Sequence, residues 1–131
     1  MTRKFFDVAR AVSRTSRYPR IKIGCCIVKK NRVLSVGVNL LKSHPLQKKY
    51  NHYRPIDENH IRNNIHAELD AIRKCSKQDL TGASIYIYRE DSIGRLRICR
   101  PCEACMRLIR ESGISIVYYT TEDGFCKEVL V

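Results

Sequence analysis

Residues 98–120, ICRPCEACMRLIRESGISIVYYT, place two cysteines three apart at the start of an amphipathic helix that runs through a glycine into a β-branched strand. Pro101 suits the helix start, Met106, Leu108 and Ile109 give the helix its apolar residues, and Gly113 can cap its end. A helix leading straight into a buried strand belongs to a layered α/β domain. The cysteines are less decisive. A Cys-x-x-Cys can be a redox pair, half of a structural zinc site, part of a catalytic metal site or simple core packing, so residues elsewhere must supply the missing partners.

The other segments agree with that layering. RKFFDVARAVSRTS spaces Phe5, Val8, Ala9 and Val12 along one helix face and puts Arg and Lys on the other. RYPR breaks the pattern. IKIGCCIVKKNRVLSVGVN holds two short β-branched runs around the polar turn KKNR, which predicts a hairpin. From Leu40 to Ile65 the chain reads as a long polar loop with two prolines and three histidines. A loop of that length in a compact domain usually serves a function. HAELDAIRKC reads as a helix, GASIYIYRE as a buried strand, DSIGRL as a turn, and EDG as the turn into a short final segment. Helix, two strands, helix, strand, helix, strand describes an α/β domain with a mixed sheet.

The 131 residues fit one domain, taken as 1–131. Apolar residues make up 44% and charged residues 29%, which is a globular composition and not a disordered one. No apolar run reaches about 18 residues, so no membrane span is expected. The N-terminus lacks a signal-peptide core, which makes the cytoplasm the default location. In such a compartment the seven cysteines are metal ligands or small buried hydrophobes, not a disulfide framework. Cys25, Cys26, Cys75 and Cys126 are expected to pack in the core. The net charge is +12, and residues 1–32 hold ten Lys or Arg against one acid, Asp7. A basic half of this kind attracts nucleotides or nucleic acid, without identifying which.

His66 stands at the start of the HAELDAIRKC helix, with Glu68 two residues on. A His-x-Glu at one helix start and a Pro-Cys-x-x-Cys at another form the signature of zinc-dependent nucleobase deaminases. Zinc takes four nitrogen or sulfur ligands in a tetrahedron, and structural sites fill all four positions. His66, Cys102 and Cys105 make three, which leaves the fourth for a catalytic water; one Zn2+ per chain is expected. Helix N-termini favour the thiolate forms of Cys102 and Cys105. Two thiolates and a neutral imidazole then offset the metal's charge. Hydrolytic deamination must take a proton from water, give one to the ring nitrogen and release ammonia, and Glu68 is the expected proton carrier. Cys99 is expected to be a structural neighbour, because His66 already fills the third ligand place.

On these motifs the chain resembles the cytidine and deoxycytidylate deaminase superfamily over most of its length, and is most similar to small bacterial or phage deoxycytidylate-type deaminases. IKIGCCIVKKNRVLSVGVN is similar to the family's opening hairpin, which ends in an asparagine. HAELDAI and RPCEACMRLIRESGISIVYYT are similar to its two zinc motifs with the helix and strand that follow. The resemblance implies a three-layer α/β/α sandwich of the cytidine-deaminase type, around a mixed sheet of about five strands. It also implies zinc on His66, Cys102 and Cys105, proton transfer by Glu68, Asn39 on the sugar hydroxyl, the Ala67 amide on the base, and a homo-oligomer.

The chain departs from that pattern in places. Arg100 precedes Pro101–Cys102 where deoxycytidylate deaminases tend to carry an aromatic and tRNA adenosine deaminases an acid; it is a candidate for a substrate phosphate or a merely exposed side chain. The chain ends soon after YYTTEDGF, which leaves the direction of the last strand open. SHPLQKKYNHYRP is expected to wall the substrate pocket, with Tyr50 or Tyr53 stacking on a base. A second zinc site from His44, His52 and His60 with a spare cysteine is the alternative for that loop.

Four readings follow, in order. Zinc-dependent hydrolytic deamination of a cytosine nucleotide such as dCMP comes first. The same chemistry on cytosine in single-stranded DNA or RNA comes second, with the basic N-terminal half as the contact face. A tRNA adenosine deaminase and a non-catalytic zinc-binding module follow. Glu68 separates the first three from the last, since a structural zinc site has no use for it.

Overall fold

The computed structural model describes residues 2–53, 64–75 and 77–130. Its elements run α1 (Arg3–Ser13), β1 (Ile23–Lys29), β2 (Arg32–Val38), α2 (Pro45–Asn51), α3 (Ala67–Lys74), β3 (Ser84–Arg89), α4 (Glu103–Ser112), β4 (Ile116–Thr121) and β5 (Gly124–Val129). The strands form one mixed sheet in the order β2-β1-β3-β4-β5. Only β3 and β4 are parallel, joined through α4; the β1–β2, β1–β3 and β4–β5 pairs are antiparallel.

Local chemistry explains the turns. The β1–β2 hairpin closes on Lys30 and Asn31, both with positive φ (51° and 62°). Two such residues in a row make the turn whose twist matches that of the flanking strands. α4 ends as its sequence indicates, on Gly113 in the left-handed conformation at φ 98°. β1, buried on both faces, is a nearly continuous run of small and β-branched residues.

Alternation along β1 and β3 separates two cores. Cys25, Ile27, Ile85 and Ile87 face α3 and α4, whereas Cys26, Val28, Tyr86 and Tyr88 face α1. The α1 side is aromatic. Phe6 packs edge-on against Tyr86 with centroids 5.1 Å apart, and Tyr86 stacks on Tyr118 at 4.4 Å. One helix on one face and α3 and α4 on the other complete an α/β/α sandwich. Cys25, Cys26 and Cys75 are core residues as expected, and Cys126 is half-buried. Among the described residues no helix is long and apolar enough to cross a membrane.

Two glycines set how closely the helices approach. A Cβ on Gly37 in β2 would lie 2.4 Å from the Ala67 carbonyl oxygen and from the Ala71 nitrogen of α3. A Cβ on Gly24 would lie 2.3 Å from the Ser13 nitrogen of α1. Only a strand without side chains at those points lets both helices sit this low.

One expectation needs correction and one open question is answered. The long loop from Leu40 is interrupted by α2, whose N-cap is His44: its Nδ1 accepts from the Leu46 amide at 3.0 Å, and Pro45 opens the first turn. The capping pattern was readable, but the polar composition concealed it. The short final segment is a full strand, β5, and it runs antiparallel to β4 because the Glu122–Asp123 turn folds it straight back.

Asp70 fastens α3 to the sheet. It is fully buried, and its carboxylate accepts from the Val38 amide at 3.1 Å, Arg73 at 2.7 Å and Lys74 at 2.8 Å. Burial works to raise this carboxyl, but the bonds from Lys74, the Val38 amide and Arg73 outweigh it and hold it below its ordinary value. A depressed folded-state pKa stabilises the fold above the unfolded value near 4 and loses that contribution as pH falls through the folded value. Asp70→Ala is therefore expected to cost about 2 kcal/mol in urea unfolding at pH 7. The gap from the native chain should shrink below about pH 4; a gap independent of pH would contradict this assignment.

Candidate metal centre and pocket

Two helix starts meet at the C-terminal end of β3. His66 is the N-cap residue of α3 and Cys102 the N-cap residue of α4, both in extended backbone conformation, and Cys105 lies in the first turn of α4. The His66 Nδ1 stands 3.2 Å from the Cys105 sulfur and 3.8 Å from the Cys102 sulfur, and the three donor atoms lie within 4.8 Å of one another. Zn–S and Zn–N bonds of ordinary length in a tetrahedron place sulfur and nitrogen about 3.6 Å apart. The donor set and its spacing therefore fit zinc, and the three residues form a candidate zinc-binding site. Among the described residues it is the one group that meets the requirement.

The electrostatics suit a cation. The hydrogen bond from Cys105 brings the Cys102 thiol down to about 4, against burial and with help from His66. Cys105 is pushed up by the same bond and by its burial. Zinc would take both sulfurs as thiolates, so its binding would release whatever protons they carry. Glu68, the second residue of α3, is 5% exposed, and burial raises its carboxyl above the usual carboxylate range.

A cavity of about 380 Å³ opens beside the donors, within the range of small-molecule sites. Tyr18, Ile21, Asn39, Asn64, Ala67, Arg89, Ile98 and Arg100 share its wall with His66, Glu68 and Cys102. The sequence-derived candidates Asn39, Ala67 and Arg100 all reach this cavity, but two are heavily engaged. The Asn39 Oδ1 accepts from the Ser16 hydroxyl at 2.7 Å and the Ile23 amide at 3.0 Å, and its Nδ2 donates to the Ile21 carbonyl at 2.7 Å. One N–H of that amide remains for a ligand. Arg100 donates through Nε and Nη2 to the two Glu128 oxygens, at 2.7 and 3.0 Å.

The loop residues fall elsewhere. Tyr50 bonds to Glu111 of α4, and the guanidinium of Arg107 lies 4.2 Å over the Tyr53 ring, so both rings fasten α2 to α4 and neither lines the cavity. The stacking expectation is corrected: an aromatic in a polar segment was read as waiting for a base when it serves helix packing. Of the second-zinc alternative, His44 caps α2, His52 ends it, and His60 lies outside the described residues. Cys99 is buried on the Ile87 carbonyl and the Thr120 hydroxyl, apart from the donor group.

One residue the sequence did not indicate supports the site directly. Gln47 of α2 is 1% exposed; its Oε1 accepts from the His66 backbone amide at 3.0 Å, and its Nε2 donates to Asn51 at 2.9 Å. The burial of Gln47, which no sequence pattern signals, requires that its amide be satisfied. Partners that orient a metal ligand commonly contribute tenfold to a hundredfold in affinity. Gln47→Ala is expected to weaken zinc binding about tenfold in competition with a chromophoric chelator. Gln47→Glu, which keeps the acceptor, should stay closer to the native value.

Known proteins resemble the chain in sequence and in fold. Residues 1–121 match the family model for the cytidine and deoxycytidylate deaminase zinc-binding region. The chain is 30% identical over 128 residues to deoxycytidylate deaminase of Mycobacterium phage D29, covering 90% of this chain and 92% of the relative. Among solved structures it is similar to dCMP deaminase of cyanophage S-TIM5, with a TM-score of 0.63 at 21% identity over 89% of this chain and 79% of that one. It is similar in fold also to cytidine deaminase of Burkholderia pseudomallei, with a TM-score of 0.67 at 17% identity over 99% and 94%. The chain belongs to the cytidine and deoxycytidylate deaminase family.

Proposed function

We infer that the protein is a zinc-dependent hydrolase that deaminates the cytosine of a nucleotide, with dCMP as the model substrate. The observation that carries this is the burial of Glu68 at the cavity wall, in the turn that also holds His66. A closed structural zinc site needs no such carboxylate. The match to deoxycytidylate deaminases supports the choice of base and of nucleotide.

The residues divide the chemistry. His66, Cys102 and Cys105 would hold the ion and leave one position for the reactants. When bound, zinc supplies the Lewis acidity that makes water a nucleophile at neutral pH. Glu68 takes one proton from the attacking water and gives it to ring N3, then takes the second from the new C4 hydroxyl and gives it to the departing amine. A C–O bond forms at C4 of the base, the C4–N bond breaks, and the nitrogen leaves as ammonia, giving the uracil form. Both Ala67 and Asn39 line the cavity, which supports assigning the Ala67 amide, in the first turn of α3, to the base and the remaining N–H of Asn39 to the sugar. Burial, by raising the Glu68 carboxyl, suits a group that must hold a proton and then release it.

The reading on single-stranded nucleic acid draws on the same rim. Arg17 and Arg20 are exposed on the segment that brings Tyr18 and Ile21 to the cavity. On the α1 face part of the basic excess is already spent, since Arg14 pairs with Glu90 at 3.0 Å and Arg10 lies 3.7 Å from it.

Glu68→Gln is the direct test. With dCMP, ammonia release by the zinc-loaded protein is expected to fall at least about a hundredfold, the usual contribution of a positioned proton carrier. Zinc content measured by atomic emission should stay near one per chain. Retained turnover would remove Glu68 from the chemistry, and loss of zinc would make it part of the metal set.

A further inference from the structure

The cavity wall carries two guanidinium groups in different circumstances. Arg100 is committed to Glu128 through two parallel hydrogen bonds, and Arg100 in turn holds the Glu128 carboxyl below its ordinary value. Arg89 has no such partner: among the described residues no carboxylate lies within ion-pair distance of it. Its Nη1 donates to the Ile98 carbonyl at 3.3 Å, and among the described residues nothing negative balances its charge there.

The placement of Arg89 is fixed by the sheet. It is the last residue of β3 and pairs with Ile23 of β1. Antiparallel partners project to the same face, and residues two and four apart along a strand do likewise. Arg89 therefore leaves the sheet on the side of Ile87 and Ile85, the side that α3 and α4 cover. The Thr120 hydroxyl holds its backbone amide at 3.2 Å, and the Arg97 amide donates to its carbonyl at 3.0 Å, which closes the hairpin 89–97 behind it. The C-terminal end of a sheet strand at which the chain turns toward a helix is a common ligand crevice in α/β folds. Among the described residues lining the cavity, Glu68 is the single acid.

We propose that Arg89 is the phosphate-binding residue of this cavity, holding the phosphate ester of the cytosine nucleotide whose base reaches Glu68. A half-buried guanidinium without a counter-ion gains most from an anion that accepts two of its N–H groups at once, as a phosphate does. The role that Arg100 offered from its place in the sequence passes to Arg89, because Glu128 already occupies Arg100. The ester can be the terminal phosphate of a mononucleotide or a phosphate of a strand's backbone; the chemistry at Arg89 is the same. The identity of the base rests on the deaminase reading, and the phosphate contact is tested apart from it.

Calorimetric titration of the zinc-loaded full chain carrying Glu68→Gln keeps each ligand unreacted. The probes are dCMP, deoxycytidine and a short single-stranded oligonucleotide with one central cytosine. Adding Arg89→Gln is expected to weaken dCMP, the oligonucleotide or both by about tenfold to a hundredfold, and deoxycytidine by less than about threefold. Arg89→Lys, which keeps the charge and loses the fork, should fall between and serves as the second variant if Arg89→Gln folds poorly. A loss confined to dCMP places a terminal phosphate at Arg89; one confined to the oligonucleotide places a backbone phosphate there. Equal losses for all three probes, or no phosphate-dependent affinity in the Arg89-intact chain, would overturn the assignment. Turnover by the chain with Glu68 intact is followed in parallel: if none of the probes is converted, the deaminase reading fails alone, and the titrations still decide Arg89.

Discussion

The convergence of two helix N-termini on one point is the constraint to which the rest of this structure answers. His66 and Cys102 occupy the same position in their helices, the residue whose carbonyl begins the turn and whose side chain faces the unpaired amides. The positive ends of α3 and α4 favour anionic sulfur and would repel a cation on its own. The thiolates resolve that conflict, being stabilised by the helices and binding the metal themselves.

Convergence demands short distances elsewhere. α3 can bring His66 to α4 only if it sits deep on β1 and β2, and Gly37 gives it the depth by leaving room for the Ala67 carbonyl. Asp70 fixes the helix at that depth by taking the Val38 amide at the end of β2. The parallel β3–β4 pair, with α4 between its strands, sets the second helix beside the first. Behind both, α2 closes the site through Gln47 and is itself held by Tyr50 on Glu111. These contacts touch no substrate, yet each sets the distance between nitrogen and sulfur at the centre.

The features legible in the sequence were those carried by neighbouring residues. The hairpin turn at Lys30–Asn31, the Gly113 cap, the alternation of β3, and the His66–Glu68 and Cys102–Cys105 spacings are all local patterns, and the last two gain a specific reading once taken together. The features that escaped depend on pairs distant along the chain. Glu128 lies 28 residues from the Arg100 it neutralises, Glu111 lies 61 from Tyr50, and Gln47 lies 19 from His66. No composition or periodicity marks such a partner. Arg100 looked available because Glu128 was out of sight, and the tyrosines of the loop looked like stacking platforms because Glu111 and Arg107 were. The substrate end of the pocket is built from these long-range pairs, which is why the sequence indicated the metal chemistry more sharply than the ligand.

X-ray absorption at the zinc edge of the metal-loaded protein tests the centre most directly. The account requires two sulfur scatterers and light atoms for the remaining ligands, because His66, Cys102 and Cys105 are the protein donors and one position stays open for the reaction. Three or four sulfurs would bring Cys99 or another cysteine into the shell, close the site and contradict its assignment as a catalytic one.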